Sequence, residues 1–199
     1  IEFLRDYLSH SSFVGYLISP KMAGKGTYTN ILRDILGPEL FSNISAGDVV
    51  RKVDEDFASK GKQSDYYLYA KKYYRGFMDI EKSFEALTNR TSDKVSVPTE
   101  LMLTLMKYEI DQLNGKAVFI DGFPRKADQV SYSLYFRDLI NHRDDPDFVV
   151  LINIPLEIIN ARILGRRTCP VCRNSCNLNL KPTSIVEYDE KTKEYILIC

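Results

Sequence analysis

A lysine between two glycines is the first feature of this chain whose residues could do chemistry. It lies in SPKMAGKGT, residues 19–27, between an apolar run and a helical pattern. A glycine-rich turn lets backbone N–H groups point into one concavity, and the following helix adds the positive end of its dipole. Lys25 would supply a charge for phosphates, and the Thr27 hydroxyl could reach a metal ion. The stretch predicts a phosphate-binding turn, although Gly-Lys-Gly also occurs in plain loops and Ser19 replaces the first glycine of the G-x-x-x-x-G-K-[ST] pattern.

Two further segments place charged side chains near predicted strand ends. Asp121 closes the apolar segment AVFID, where a carboxylate suits Mg²⁺ or its water shell, or else caps the next turn. Arg125 follows Gly-Phe-Pro, and Arg51 follows the segment SAGD. Guanidinium groups form planar, charge-assisted forks with phosphate. Because ligands of open parallel sheets bind outside the carboxyl ends of the strands, we expect these groups at the same edge as Lys25.

The cysteines lie only in the last part of the chain, at positions 169, 172, 176 and 199. Cys169 and Cys172 have the spacing of a metal-binding knuckle. In a chain otherwise free of cysteine, this pattern favours a metal site in a reducing compartment over disulfides. Reduced thiols in a hairpin are the alternative.

The elements that must position these residues alternate between strand and helix. Apolar runs predict strands at 13–18, 40–44, 117–121 and 147–154. Apolar periodicity predicts helices at 26–36, 46–57, 98–113, 126–140 and 156–167. This alternation indicates an α/β fold with a parallel sheet.

Residues 64–90 are rich in tyrosine and phenylalanine. Large apolar side chains recur every three or four positions, which predicts one amphipathic helix. A packing face is the simplest interpretation of this stripe. A cover over a ligand site and an oligomer face are the alternatives.

The composition narrows the class of protein. The chain has 199 residues, of which 44% are hydrophobic and 27% charged, and its net charge is +0. These values are ordinary for one compact domain with subdomains, and the neutral balance argues against a general binder of nucleic acid or membranes. No apolar run approaches the roughly 18 residues of a membrane span, and the start shows no signal-peptide pattern. We expect a cytoplasmic monomer. We also expect the N-terminus to be trimmed, because the chain starts at Ile1 rather than Met.

Several motifs, in order along the chain, carry a family resemblance. SPKMAGKGT is similar to the phosphate loop of the adenylate kinases, SAGDVVR to their acceptor-site helix, VPTELM to the entry of the next helix, and DGFPRKADQV to their most specific segment. NIPLEIINARILGRRTCPVC is similar to their last core strand and the start of their lid. The chain resembles adenylate kinases and the wider nucleoside-monophosphate kinase family over residues 13–182, apart from 52–94.

The resemblance implies phosphoryl transfer from ATP, with Mg²⁺, to AMP, giving two ADP. It implies a doubly wound P-loop kinase core at 1–44 and 98–161. It also implies an enlarged acceptor domain at 45–97, which carries the Tyr-rich insertion, and a partial lid at 162–199.

The resemblance also implies roles for individual residues. The donor phosphates would be held by Ala23, Gly24, Lys25, Gly26, Thr27, Arg162 and Arg166. The acceptor would be held by Ala46, Arg51, Val97, Gly122, Arg125 and Gln129, with Gln129 reading the base. The catalytic residues would be Lys25, Asp121, Arg125 and Arg166, with Asp121 organising Mg²⁺. A side-chain nucleophile is not expected, because phosphoryl transfer needs mainly positioned positive charge.

Some positions depart from the family pattern. Ser19 and Met22 stand where the family usually has glycine, and a non-glycine residue at positive φ costs about 1 kcal/mol or more. Ala46 stands where adenylate kinases usually have threonine, as it does in uridylate–cytidylate kinases, whereas Gln129 favours AMP. A UMP/CMP-type kinase is therefore the alternative acceptor class.

The lid also resembles the zinc-binding lids of many bacterial relatives. Cys169 and Cys172 would form the first knuckle and Cys199 would open the second, whereas Cys176 takes the place of a lid tyrosine. Tetrahedral zinc needs four ligands, so the pattern supplies at most three. The family continues with more lid, a fifth strand and a closing helix. We therefore expect a fragment that binds nucleotide weakly and does not turn over alone.

Two other classes of function stay open at this point. One is a non-catalytic module whose altered loop binds nucleotide without turnover. The other is a zinc-ribbon interaction protein with an α/β body, against which the neutral charge and the complete DGFPR segment argue.

Overall fold

The chain folds as two compact units. A computed structural model describes residues 1–89, 97–169, 175–180, 183 and 185–198. One unit comprises Ile1–Ile18 and Lys25–Leu151, and the other comprises Ser19–Gly24 and Ile152–Cys199. The division into a core, an acceptor domain and a lid has other boundaries and stays a prediction. In the described part of the chain, no helix is both long enough and apolar enough to cross a membrane.

A four-stranded parallel sheet forms the centre of the first unit. Its strands are β1 (Val14–Ile18), β2 (Phe41–Ser45), β3 (Ala117–Asp121) and β4 (Asp147–Leu151), in the order β2-β3-β1-β4. Asp121 pairs in register with both Leu17 of β1 and Ser45 of β2. The carboxyl ends of these three strands therefore meet at one edge, where a parallel sheet places its ligands.

Seven helices accompany this sheet in the described part of the first unit. They are α1 (Glu2–His10), α2 (Lys25–Leu36), α3 (Ala46–Lys60), α4 (Asp65–Tyr73), α5 (Ile80–Thr88), α6 (Thr99–Asp111) and α7 (Ala127–Leu139). A short 3-10 turn, Gly61–Gln63, separates α3 from α4.

The sheet is covered by helices on both faces. Alternate residues of β3 show this division, because successive side chains of a strand point to opposite faces. Val118 and Ile120 belong to a cluster with buried residues of α3 to α7, whereas Phe119 belongs to a second cluster with residues of α1 and α2. The predicted α/β fold with a doubly wound parallel sheet is confirmed.

Gly15 of β1 allows one of these clusters to close. A Cβ at Gly15 would overlap the ring of Phe119 on the neighbouring strand. The Phe119 ring packs edge-on against Phe13 and Phe41, at centroid distances of 5.5 Å in both pairs. The missing side chain on β1 therefore makes room for an aromatic cluster beneath the sheet.

The second unit contains one helix and two antiparallel strand pairs among its described residues. The helix is α8 (Leu156–Gly165), and β5 (Arg166–Thr168) follows it directly. Strand β5 pairs with β6 (Ser175–Asn177), and β7 (Ile185–Asp189) pairs with β8 (Glu194–Ile198).

The prediction of a single helix over 64–90 is wrong. The segment forms α4 and α5, and Tyr74 between them has an extended backbone. The Asp79 side chain starts α5 by accepting hydrogen bonds from the N–H groups of Glu81 and Lys82, at 2.8 and 3.3 Å. A capping carboxylate of this kind satisfies orphan donors of a new helix, so it favours two helices over one. Residue 90 lies outside the described residues.

Several other boundaries differ from the sequence predictions. The fourth strand ends at Leu151 instead of 154, because its partner β1 ends at Ile18, which pairs with Leu151. The helix predicted to reach residue 167 ends at Gly165, since Arg166 already has an extended backbone. The strand predicted at 40–44 covers Phe41–Ser45. Helix α3 continues past residue 57 to Lys60, and α1 was not predicted.

Candidate active site

An ion pair at the carboxyl edge of the sheet is the centre of the candidate site. Lys25 is the first residue of α2, and Asp121 is the last residue of β3. Lys25 Nζ lies 3.5 Å from Asp121 Oδ1, and the two side chains are only 16% and 18% exposed. The structure therefore brings together the lysine and the acid that the sequence predicts at separate strand ends.

The electrostatic environment of Asp121 combines burial with positive charge. Burial raises the pKa of the Asp121 carboxyl above its ordinary value, while the charges of Lys25 and Arg125 oppose this rise. A half-buried carboxylate next to two cations can bind a metal ion. It can also release the cations when an anion enters and binds them instead. Perturbed groups of this kind are common at functional sites.

The turn after β3 brings Arg125 back toward Asp121. Gly122 has φ +81, a left-handed conformation that glycine adopts without steric cost. A Cβ at Gly122 would overlap the guanidinium group of Arg125. The Arg125 side chain therefore folds over the glycine, and its charge opposes the rise that burial causes in the pKa of Asp121.

Gln129 joins this turn to α6. The backbone N–H of Arg125 donates to Gln129 Oε1 at 2.8 Å, and Gln129 Nε2 donates to Thr99 Oγ1 at 3.2 Å. Thr99 is the first residue of α6, whereas Gln129 lies in the first turn of α7. The predicted base-reading residue is thus held by two partners in the protein.

The other predicted acceptor residues differ in their relation to Asp121: Ala46 directly follows Ser45, which pairs with Asp121, whereas Arg51 is held by another partner. Arg51 forms an ion pair with Asp48 one turn earlier on α3, and its side chain is 58% exposed. Ala46 is buried at the start of α3, and Val97 is half-buried just before α6. The structure describes no contact of Arg51 with Lys25, Asp121 or Arg125.

Gly26 and Thr27 follow Lys25 on the first turn of α2, and both are exposed. A Cβ at Gly26 would meet no described atom within 4 Å. Protein packing therefore does not explain a glycine here, although glycine is a poorer helix former than alanine. Open space beside a helix N-terminus suits the close approach of an anion.

The second unit holds the remaining predicted donor residues. Met22 has φ +68 and Gly24 has φ +98, so both adopt left-handed conformations, while Ala23 between them is buried. Arg162 Nη1 donates to the Met22 carbonyl at 3.0 Å, and Arg166 Nη1 lies 3.0 Å from Met22 Sδ. Two predicted phosphate-binding arginines therefore contact the residue that replaces a family glycine.

Arg162 also has a buried nitrogen with unused hydrogen-bonding capacity. Its Nε is buried and has no hydrogen-bond partner among the residues that the structure describes. Its carbonyl accepts a hydrogen bond from Asn177 Nδ2 at 3.0 Å, which ties α8 to β6. The Arg162 side chain is thus held at the Met22 carbonyl, and its Nε–H donor is unused among the described residues.

The predicted zinc site is only partly within the described residues. Cys169 and Cys176 are half-buried, whereas Cys172 and Cys199 lie outside the described part of the chain. No group of three or more potential metal-binding His, Cys, Asp or Glu residues is present among the described residues. The structure therefore lends no support to zinc.

Sequence reasoning missed two polar partners. Thr99 holds the Gln129 amide, and Asp48 holds the Arg51 guanidinium. The three-residue spacing of Asp48 and Arg51 on a helix was a usable signal. No local sequence signal indicated the Thr99–Gln129 contact, because it joins two helices and its residues lie 30 positions apart.

Curated proteins named adenylate kinase are similar to this chain, although no protein-family model matches it. The adenylate kinase of Clostridium acetobutylicum is 29% identical over 170 residues, which cover 85% of this chain and 66% of the relative. Those of Clostridium kluyveri and Thermotoga petrophila are 28% and 29% identical, and the matches cover 65% and 64% of their lengths. The chain spans slightly less than two thirds of these relatives. Over most of its own length, the chain is similar to proteins named adenylate kinase.

Proposed function

We propose that this chain carries the phosphate-binding core of a nucleoside-monophosphate kinase, which transfers a phosphoryl group from ATP to AMP. The observation that carries this proposal is the Lys25–Asp121 pair at the carboxyl edge of a parallel sheet, with Arg125 beside it. Similarity to proteins named adenylate kinase over 85% of the chain supports the same reaction.

The donor phosphates bind at the N-terminus of α2 in this proposal. Lys25 supplies a positive charge, Gly26 leaves room for an approaching oxygen, and Thr27 is exposed beside them. No acidic residue lies in the first turn of α2 to repel an anion. Such positioned charge is the main catalytic device of phosphoryl transfer.

Asp121 is the residue that fits a magnesium ion. Mg²⁺ is usually held by one or two carboxylates together with substrate phosphates, so a single acid beside a phosphate site is sufficient. When it is bound with ATP, Mg²⁺ neutralises charge on the phosphates. Asp121 would then exchange Lys25 for the metal ion, which frees the lysine for a phosphate oxygen.

The acceptor binds between the start of α3 and the turn after β3. Arg125 and Arg51 would hold its phosphate, which requires Arg51 to leave Asp48. Gln129 would contact the base, and Ala46, Val97 and Gly122 would line the pocket. Paired arginines suit a phosphate because each guanidinium presents a planar set of donors.

One observation favours a second candidate function. Met22 replaces a family glycine, and the two arginines predicted to clamp donor phosphates contact its carbonyl and sulfur. A loop held in this way could bind nucleotide without supporting turnover. The second candidate is therefore a nucleotide-binding module without kinase activity.

Other properties stay predictions from the sequence. These are a structural zinc ion at Cys169, Cys172 and Cys199, a monomeric state and a cytoplasmic location. Metal analysis of protein purified without added metal would test the first of them.

Replacement of Lys25 by methionine tests the proposed function. We expect K25M to lower kcat for ATP and AMP by about 100-fold or more, because it removes a charge that stabilises the transition state. A coupled assay on the protein made from its complete coding sequence measures the effect. The matched control is Lys116→Met at the opposite end of β3, where Lys116 Nζ donates to the Pro38 carbonyl at 2.9 Å.

The outcomes separate the candidates. Loss of turnover in K25M alone supports the kinase. Nucleotide binding without turnover in the unmodified protein favours the non-catalytic module, and near-normal kcat in K25M would contradict the phosphate-loop assignment.

A further inference from the structure

The Gln129 side chain is clamped from both ends of its amide. Oε1 accepts the Arg125 backbone N–H at 2.8 Å, and Nε2 donates to Thr99 Oγ1 at 3.2 Å. The Arg125 backbone precedes α7, whereas Thr99 begins α6. The amide therefore bridges two segments that are distant in sequence.

These two contacts fix which way the amide points. A backbone N–H can only donate, so the end of the amide that faces Arg125 must be the oxygen. The reverse orientation would set two donors against each other and leave both unsatisfied. Thr99 Oγ1 receives the nitrogen end and holds the plane of the amide from the other side.

Each end of the amide keeps capacity for one more partner. A carbonyl oxygen has two lone pairs and an amide nitrogen has two N–H groups, and each contact uses one of them. Gln129 is only half-buried, so the unused acceptor and donor can face a ligand. Because the orientation is fixed, the acceptor and the donor appear in one fixed order.

The order of donor and acceptor distinguishes classes of nucleobase. Adenine and cytosine carry an exocyclic amino group next to a ring nitrogen that accepts a hydrogen bond. Uracil carries the reverse at the equivalent positions, an oxo group next to a ring N–H. When the bound phosphate fixes the position of the base, a rigid amide can form both hydrogen bonds with adenine or cytosine. With uracil, the same amide would set acceptor against acceptor and donor against donor. Polar sites of this kind discriminate strongly, because a wrong ligand leaves their buried groups unpaired.

We propose that Thr99 is a positioning residue of the acceptor site, which orients the Gln129 amide so that the site selects amino-bearing monophosphates, AMP or CMP, over UMP. This proposal rests on the proposed function, because Gln129 is the residue assigned to the acceptor base. It extends that function by naming the class of base and by giving a role to Thr99, for which the resemblance implied none.

A purely structural role for Thr99 makes a different prediction. A second hydroxyl also joins α6 and α7, because Tyr132 Oη donates to Glu100 Oε1 at 2.9 Å. If Thr99 served only to hold these helices together, loss of the Tyr132 hydroxyl would have the same effect on ligand binding. Tyr132→Phe is therefore the matched control, since it removes one hydroxyl from the same helix pair and leaves the Gln129 amide untouched.

The test compares dissociation constants of AMP, CMP and UMP by calorimetry. The protein made from its complete coding sequence is measured beside T99V, T99S and Y132F. We expect the unmodified protein to bind AMP and CMP more tightly than UMP. T99V should reduce both preferences by about tenfold, the factor that corresponds to one hydrogen bond. T99S should restore them, and Y132F should leave them unchanged.

The results separate this proposal from the proposed function. Equal losses of preference in T99V and Y132F, or an unchanged preference in T99V, would overturn the role of Thr99. Tighter binding of UMP, or no monophosphate binding at all, would overturn the base selection. Phosphoryl transfer is assayed separately, so Thr99-dependent selectivity without turnover would support this inference and refute the kinase.

Discussion

At the scale of single residues, we expect the glycine at position 26 to be needed for ligand binding but not for folding. An added Cβ there meets no described atom within 4 Å, and the residue lies in the first turn of α2. The position therefore accepts a side chain as far as the protein's own packing is concerned. A ligand that approaches the backbone would be hindered by the same methyl group.

We expect Gly26→Ala to keep or raise the free energy of unfolding, by up to about 1 kcal/mol, because alanine is the better helix former. Its affinity for ATP should fall nonetheless. Chemical denaturation and ATP titration measure the two effects. The control is Gly47→Ala in the first turn of α3, where a Cβ makes ordinary contacts at 3.7 Å. Unchanged ATP affinity in G26A would place the phosphates elsewhere.

At the scale of elements, the Tyr-rich segment packs on α6 through carboxylates as well as rings. Tyr66 donates its hydroxyl hydrogen to Glu109, and Tyr69 does so to Asp111. Tyr108 packs against both rings, at centroid distances of 4.7 and 5.0 Å. Much of the aromatic stripe is therefore a packing face, as the simplest interpretation of the sequence predicts.

Burial, followed by the neighbouring carboxylates, raises the pKa of both Tyr66 and Tyr69 above the ordinary tyrosine value. The folded state thus holds these protons more tightly than the unfolded state. Their contribution to stability is complete below about pH 10 and is lost as the pH rises further.

We therefore expect the free energy of unfolding to fall above about pH 10, and the double variant Tyr66→Phe/Tyr69→Phe to show a flatter fall. Near neutral pH the variant should lose about 1 kcal/mol for each hydrogen bond. Urea unfolding at several pH values measures both effects. Tyr135→Phe is the control, since Tyr135 is 73% exposed. An equally steep fall in the double variant would assign the alkaline loss to other groups.

Sequence patterns predicted the strands better than the helix boundaries. Three strands of the sheet are short apolar runs, as a parallel sheet covered on both faces requires, whereas β2 carries Ser42, Asn43 and Ser45. Helix α1 was not predicted, although Leu4, Tyr7 and Leu8 recur at the spacing of a helix. The break between α4 and α5 depends on the Asp79 cap, which the aromatic periodicity masks.

The sequence also predicted some parts of the candidate site better than others. Lys25, Asp121 and Arg125 were predictable because they lie at strand ends, and topology alone brings such ends together. The Arg51–Asp48 pair and the Thr99–Gln129 contact depend on side-chain geometry. A local i,i+3 spacing indicates only the first of these contacts, and no local pattern indicates the second.

At the scale of the whole molecule, apolar side chains remain open along β4. Val149 and Leu151 are 60% and 68% exposed on this edge strand, whereas Val150 packs against the second core cluster. An exposed, apolar edge strand is a site where chains associate.

We expect Val149→Lys to lower self-association of the chain of residues 1–199, with little change in the melting temperature, because a charge on an exposed edge opposes strand pairing. Light scattering against concentration measures the association. Val150→Lys should instead lower the melting temperature, since it buries a charge beside apolar residues. Unchanged scattering in V149K would exclude this edge as the associating surface.

The space left by Gly15 has a consequence for how this protein can change over evolution. Because the Phe119 ring occupies the volume of the missing side chain, the two positions cannot vary independently. Among homologues, a larger residue at the first position should occur only with a smaller one at the second. Positions 15 and 119 should therefore covary in an alignment of homologues, and this covariation would indicate the contact between β1 and β3.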